Sequence, residues 1–238
     1  MKILSEKQFR EKKKTNRLVI YGSGSSINNI TSSQLKNLSE RDSLSFNWFC
    51  KHPSIAPLFF LIREQANIPK RITKTETTEI LFEQINKSIY QQTCFIVHDQ
   101  HSHSPHAFPY QKYLNRIPGD GIVVADTKSG NLLQNIFSNG IYHGSTTLMN
   151  ALHVAGFLGY EEILFAGVDL NNSRYFWLPD DEERESIRQK GVSVTDPHPV
   201  AKNAIDAVRQ FKDSFPNVKL RCLNSKSLLR KVMDCERI

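Results

Sequence analysis

His198 stands between Pro197 and Pro199, just ahead of Val200, Ala204, Ala207, Val208, Phe211 and Phe215 at three- and four-residue intervals. That spacing predicts an amphipathic helix. The two prolines restrict the backbone on either side of the imidazole and present it rigidly. An unperturbed imidazole titrates near ~6.5, so it can take a proton at neutral pH. A helix-start histidine facing water is the plain alternative.

Two other groups invite chemistry. Ile163 to Val168 is apolar throughout, the pattern of a strand buried on both faces. Ligands of open α/β sheets bind beyond the carboxyl ends of strands, and here that end carries Asp169, Asn171, Asn172, Ser173, Arg174 and Tyr175. Near the start, Leu18 to Tyr21 runs into Gly22-Ser23-Gly24-Ser25-Ser26. Strand, glycine loop and helix is the layout that seats a nucleotide phosphate on backbone amides. Ile27 occupies the third glycine position of the dinucleotide fingerprint, so a plain tight turn fits as well, with Ser25 or Ser26 as a helix cap.

His98, Asp99, His101, His103 and His106 form a histidine-rich stretch in which metal ligation has to be weighed. Catalytic zinc takes three protein ligands, and alternating histidines on a strand would supply them. Pro105 and Pro109 favour a solvated loop instead, and no metal ligand is assigned. Cys50, Cys94, Cys222 and Cys235 lack metal-ligand spacing and read as reduced, mostly buried thiols.

The elements that position these residues alternate. Candidate strands fall at Leu18–Tyr21, Asp42–Phe49 (with Asn47 embedded), Pro57–Ile62, Phe95–Val97, Ile122–Ala125, Ile163–Val168 and Val218–Leu223. Helices are predicted over Lys74–Tyr90, Thr146–Phe157, from Val200 onward, and over Ser225–Met233. Gly159 closes the Thr146–Phe157 helix, and Leu148, Leu152 and Ala155 form its apolar face. Alternation of this kind predicts a single doubly wound, mainly parallel, Rossmann-like α/β sheet. Pro179 to Asp196 is charged and poor in apolar residues, which predicts a lid-like polar segment over the strand ends.

With 238 residues, 39% hydrophobic and 23% charged, the chain suits one α/β domain with a sizeable core. No apolar run approaches the length of a membrane span, and the charged first 17 residues lack a signal-peptide core, so a cytoplasmic location is expected. The net charge of +7 is concentrated towards the two ends. Residues 1–16 are read as a basic N-terminal extension and 17–238 as the domain. Such ends serve solubility, or draw the protein to an anionic membrane surface as a peripheral protein. No nucleic-acid signature is present. A homo-oligomer stays open.

Taken together, GSGSS, FNWF, HGSTTLMNALHVAGFLGYEEILFAGVDL, DPHPVAKNAIDAV and LRCLNSKSLL resemble the bacterial CMP-sialic acid-dependent sialyltransferases of the glycosyltransferase family 42 type. The likeness also extends to enzymes that transfer Kdo from CMP-Kdo. It spans Leu18 to Met233 in order and is close only in the central helix–strand block. The resemblance implies a GT-A-variant glycosyltransferase. Such an enzyme moves sialic acid or Kdo from CMP to a bacterial glycolipid, lipopolysaccharide or polysaccharide acceptor, with inversion.

It also implies roles for single residues. The glycine loop, Gly22, Ser23, Gly24 and Ser25, holds CMP, with Ser23 where the family has asparagine. Asn47 contacts the nucleotide, and Thr146 and Thr147 bind the donor. Tyr175 matches one phosphate-binding tyrosine, while Asn171 stands where the family has the other. His198 matches the general base. The family's arginine near the central helix falls at Gly144, with Arg174 or His143 as substitutes. No cofactor is required, and a divalent metal is at most a stimulant. A catalytically inactive nucleotide- or glycan-binding relative is the alternative. A pterin pyrophosphokinase-like enzyme is another, although no P-loop is present.

Overall fold

The structure, a computed structural model, describes residues 1–63, 74–99, 113–144, 146–179 and 193–236. Its strands are β1 (Lys2–Ile3), β2 (Arg17–Tyr21), β3 (Asp42–Phe46), β4 (Phe59–Ile62), β5 (Cys94–Asp99), β6 (Asp120–Thr127), β7 (Ile141–Tyr142), β8 (Glu162–Ala166), β9 (Lys219–Cys222) and β10 (Asp234–Cys235). The α-helices are α1 (Glu6–Arg10), α2 (Ser32–Leu38), α3 (Lys74–Ile85), α4 (Ile136–Asn139), α5 (Thr147–Phe157) and α6 (Ala201–Ser214). All pairings are parallel, in the order β1-β6-β5-β4-β3-β2-β8-β9-β10, with β7 on β6. The expected mainly parallel α/β sheet is what forms.

Apolar runs without polar alternation specify it, because both faces are covered. Leu18 and Ile20 point into one core with Phe59, Leu61, Ile163 and Phe165. Val19 and Tyr21 point into the other with Phe60, Ile62, Leu164 and Ala166. From β2 the chain proceeds through β3 to β6 on one side, and β8 to β10 lie on the other. The order therefore reverses between β2 and β8. Crevices of doubly wound sheets open at such a point.

α5 is buried on every side except Gly156, where the sequence predicts a single apolar face. It is sandwiched between the sheet and α6, and a Cβ on Gly156 would meet the Phe215 ring at 2.5 Å. Its buried polar groups are satisfied. Asn150 Nδ2 donates to Tyr142 O (2.9 Å), and His153 Nδ1 accepts from Tyr142 N (3.0 Å). Gly159 closes the helix as expected, at φ 67°, with Tyr160 N–H reaching back to Ala155 O at 3.2 Å.

Residues 1–16 are not an extension from the domain. β1 pairs with β6, and Phe9 is wholly buried against Phe59. Two of the segment's basic side chains reach across to the carboxyl end of α5: Arg10 donates to Phe157 O (2.7 Å) and Lys13 to Gly159 O (2.8 Å). Elsewhere the strand expected over Asp42–Phe49 stops at Phe46, and 47–51 form a 3₁₀ turn. The helix expected over Ser225–Met233 is a short 3₁₀ turn, Leu228–Lys231, followed by β10. Cys50, Cys94 and Cys222 are buried thiols, and Cys235 is half-buried. Most of the polar segment, 180–192, lies outside the described residues.

Candidate functional site

A cavity of about 330 Å³ opens at the reversal point between β2 and β8. Such a volume falls in the range of small-ligand pockets. Its floor is the crossing of two glycine turns. Gly22 N donates to Ala166 O and Gly24 N to Gly167 O, both at 2.8 Å. A Cβ on Gly22 would lie 2.4 Å from Gly167 O, and one on Gly24 2.4 Å from Asp169 Oδ2. The glycines are therefore required by this close backbone approach.

Asp169, suspected of chemistry from sequence, is buried and serves as a knot. Its Oδ2 accepts from Ser26 N (2.9 Å), and its Oδ1 accepts from Asn224 Nδ2 (2.7 Å) and from the Ser26 hydroxyl. Ser26 thus locks the glycine loop to the end of β8 instead of capping a helix.

The loop after β8 folds back over this floor. Gly24 and Tyr175 form an antiparallel bridge, Phe176 N donates to Ser23 O (3.1 Å), and Asn28 Nδ2 donates to Phe176 O (3.0 Å). These contacts fix the Tyr175 backbone. Leu170, in the left-handed region at φ 61°, turns the chain so that its carbonyl accepts from His198 N (3.0 Å).

Tyr175 and His198, 23 positions apart, then meet with Oη 2.7 Å from Nε2. Val200 N–H donates to His198 Nδ1 at 3.3 Å. In a neutral ring Nδ1 therefore holds the lone pair and Nε2–H donates to Tyr175 Oη. The tyrosine's own O–H proton is left to point elsewhere.

Asn47 and the α5 N-terminus form the opposite wall. Thr146 caps α5, its Oγ1 accepting from Leu148 N (3.3 Å), while Asn47 Nδ2 approaches Thr147 Oγ1 at 3.4 Å. Asn47 adopts φ 53°, a region few non-glycine residues visit, and its buried Oδ1 has no partner among the described residues. His143 adds an imidazole, with Nδ1 3.2 Å from Asn150 Oδ1. Burial first, then the Arg63 charge, lower its pKa from 6.5 to about 4.

Of the residues singled out from sequence, Gly22, Ser23, Gly24, Asn47, Thr146, Thr147, Arg174, Tyr175 and His198 line this one cavity. Ser25 and Asn171 do not; Asn172 lines it in place of Asn171, and its Oδ1 accepts from Arg174 N (3.0 Å). Arg63 and Trp48 were missed. Arg63 had a signal, a cation straight after the apolar run Leu58–Ile62.

The histidine-rich stretch contributes His98 elsewhere. It is fully buried at the end of β5, Nε2 3.2 Å from Asp126 Oδ1, and is not the solvated loop residue expected. His101, His103 and His106 lie outside the described residues.

Comparison of the sequence with family models and with curated proteins returns no match. Among solved structures, a sialyltransferase Cst-II variant in complex with CMP is similar. The TM-score is 0.51 at 17% identity, over 94% of this chain and 87% of that one. The chain shares the sialyltransferase fold. The monofunctional alpha-2,3-sialyltransferase Cst-I from Campylobacter jejuni is similar too, at TM-score 0.50 and 16% identity, over 98% of this chain and 82% of that one.

Proposed function

We propose that this chain is a glycosyltransferase that moves an acidic 2-keto-3-deoxy sugar, sialic acid or Kdo, from CMP to a hydroxyl of a glycan or glycolipid. The observation that carries the reading is the Tyr175–His198 pair, held over a glycine crossing at the sheet's reversal point. The fold shared with a sialyltransferase in complex with CMP supports the choice of nucleotide.

The reaction breaks the bond from the anomeric carbon to the phosphate oxygen, and CMP leaves with the electron pair. Charge grows on that oxygen. Tyr175 O–H, turned away from His198 by the Nε2–H bond, donates to it, with Arg174 and the Thr146 and Thr147 hydroxyls nearby in the cavity wall. The acceptor oxygen attacks the opposite face and gives its proton to His198 Nε2, which inverts the centre. That step needs the other histidine tautomer, with the Val200 N–H contact given up and Tyr175 committed to the phosphate. CMP is a good leaving group without a metal, so no cofactor is assigned. Among the described residues no helix is long and apolar enough to cross a membrane. A glycolipid acceptor would be met at the membrane surface.

The deciding experiment is a donor screen by calorimetry with CMP, UMP, AMP, CMP-sialic acid and CMP-Kdo, followed by transfer assays. CMP at 100 Kd should add roughly 2.7 kcal/mol of stability. Equal stabilisation by all nucleotides would remove the CMP-sugar reading. Tight CMP-sugar binding without sugar release would mark an inactive relative.

A further inference from the structure

Residues 223–234 form a strap over Val168 and Asp169, which follow β8 and line the cavity. Ser227 Oγ donates to Val168 O (2.6 Å), Leu228 N to Asp169 O (3.0 Å) and Asn224 Nδ2 to Asp169 Oδ1 (2.7 Å). Two cysteines stand at the ends of that strap. Cys222 is the last residue of β9 and Cys235 the last of β10, and the two are direct partners in the parallel ladder. Glu236 N donates to Cys222 O (2.9 Å), which extends the pairing past Cys235. Paired residues put their side chains on the same sheet face, and neighbouring strands lie about 4.8 Å apart. That spacing falls inside the roughly 4.4–6.8 Å Cα separation of disulfides.

The sulfurs already meet. Cys222 Sγ lies 2.9 Å from Cys235 Sγ, and Cys235 Sγ donates towards Asn224 O at 3.7 Å. The Cys222 S–H is thereby turned on the Cys235 sulfur. Access to the two thiols is unequal: Cys222 is 1% exposed, whereas Cys235 is half-buried on the edge strand of the sheet. Burial first, then the Cys235 sulfur, push the Cys222 thiol up. An oxidant therefore meets Cys235 first, with Cys222 waiting behind it.

We propose that Cys222 and Cys235 are a reversible redox pair whose disulfide closes the strap into a ring on the cavity floor. The oxidant is a low-molecular-weight disulfide, for which oxidised glutathione is the probe. The Cys235 thiolate attacks one of its sulfurs, and one small thiol leaves with the electron pair of the broken bond. Cys222 then gives up its proton, attacks Cys235 Sγ and expels the second small thiol. The pair loses two electrons and two protons, and the oxidant takes them up as two thiols. The new bond keeps β10 on β9, so the strap cannot peel away from Val168 and Asp169. Excess dithiol reverses both steps.

The test holds the folded full-length chain in oxidised glutathione, quenches it with acid, and applies non-reducing peptide mapping, thermal melts and amide hydrogen exchange. The wild type should yield a linked Cys222–Cys235 peptide, with Cys50 and Cys94 still free. Its Tm should rise by about 6–12 °C, the stabilisation expected when a ring of this size is closed in a chain of this length, and should fall back on reduction. The Leu228 amide, bonded to Asp169 O, should exchange more slowly in the oxidised form. Cys235→Ser should show none of these changes. Cys222→Ser should stop at glutathione held on Cys235; if that variant does not fold, the wild type and Cys235→Ser decide. A wild type that keeps both thiols, or that stops at the glutathione adduct, overturns the proposal. A linked peptide with unchanged Tm and unchanged Leu228 exchange overturns the clasp on the floor, and an equal Tm rise in Cys235→Ser does the same.

Discussion

Tyr175 Oη lies 2.7 Å from His198 Nε2, so the nitrogen that would receive an acceptor's proton is occupied by the residue that would steady the leaving group. While that hydrogen bond stands, Nε2 cannot take an acceptor's proton. Donor binding, by drawing Tyr175 to the phosphate, is what would free the base.

His198→Ala should therefore lower transfer by about 10²–10⁴-fold, the usual contribution of general base catalysis, with CMP affinity within a few-fold of wild type. The lost hydrogen bond should cost about 1 kcal/mol of stability. Tyr175→Phe should slow donor hydrolysis as well as transfer, since it acts on the departing phosphate. Steady-state kinetics with and without acceptor separates the two, and parental transfer by His198→Ala would reject the mechanism whatever the donor.

The tautomer itself is measurable. With Val200 N–H on Nδ1, nitrogen NMR of the free protein should place the His198 proton on Nε2. Saturation with CMP should loosen that preference. A proton found on Nδ1 in the free protein would contradict the hydrogen-bond pattern.

Acid should act through His143. Its pKa is depressed from 6.5 to about 4 by burial, then by Arg63, so the unfolded chain binds its proton first as pH falls. Stability from this group is complete above about pH 6.5 and declines as pH drops towards 4. Denaturant melts between those values should be shallower in pH for His143→Gln than for wild type. Identical slopes would show that other groups govern the acid limb.

Gly24→Ala should destabilise the protein by about 1–3 kcal/mol, as overpacking does, because its Cβ would lie 2.4 Å from Asp169 Oδ2 and 2.7 Å from Gly167 O. At about 2–4 °C per kcal/mol for a chain of this size, the melting temperature reads it directly. An unchanged Tm would mean that the crossing is looser than described.

Native thiols should separate cleanly. Burial raises Cys50 and Cys94 to about 12, and neither is more than 1% exposed. Alkylation at pH 8 should reach half-buried Cys235 first and these two only on unfolding. Mass spectrometry that finds Cys50 labelled early would argue against its place in the core.

The buried strands were readable because runs such as Leu18–Tyr21 and Ile163–Ala166 pack on both faces and carry the signal in four or five adjacent residues. The glycine loop, Tyr175 and His198 were readable from residue type and flanking prolines. What joins them was not. Nothing local announces that Asp169 ties Ser26 to Asn224, or that Asn150 and His153 pin Tyr142 from within an apolar helix. β1 and α1 were lost because basic residues dominate the composition there. One buried phenylalanine, Phe9, and backbone pairing to β6 decide their place.

Ser26 and Asp169 are 143 positions apart. During synthesis the glycine loop leaves the ribosome long before β8 exists to cross it, and contacts of such separation form slowly. A nascent chain ending anywhere before β8 therefore has no pocket floor. The floor of the cavity arrives late, after nearly three-quarters of the chain has been made.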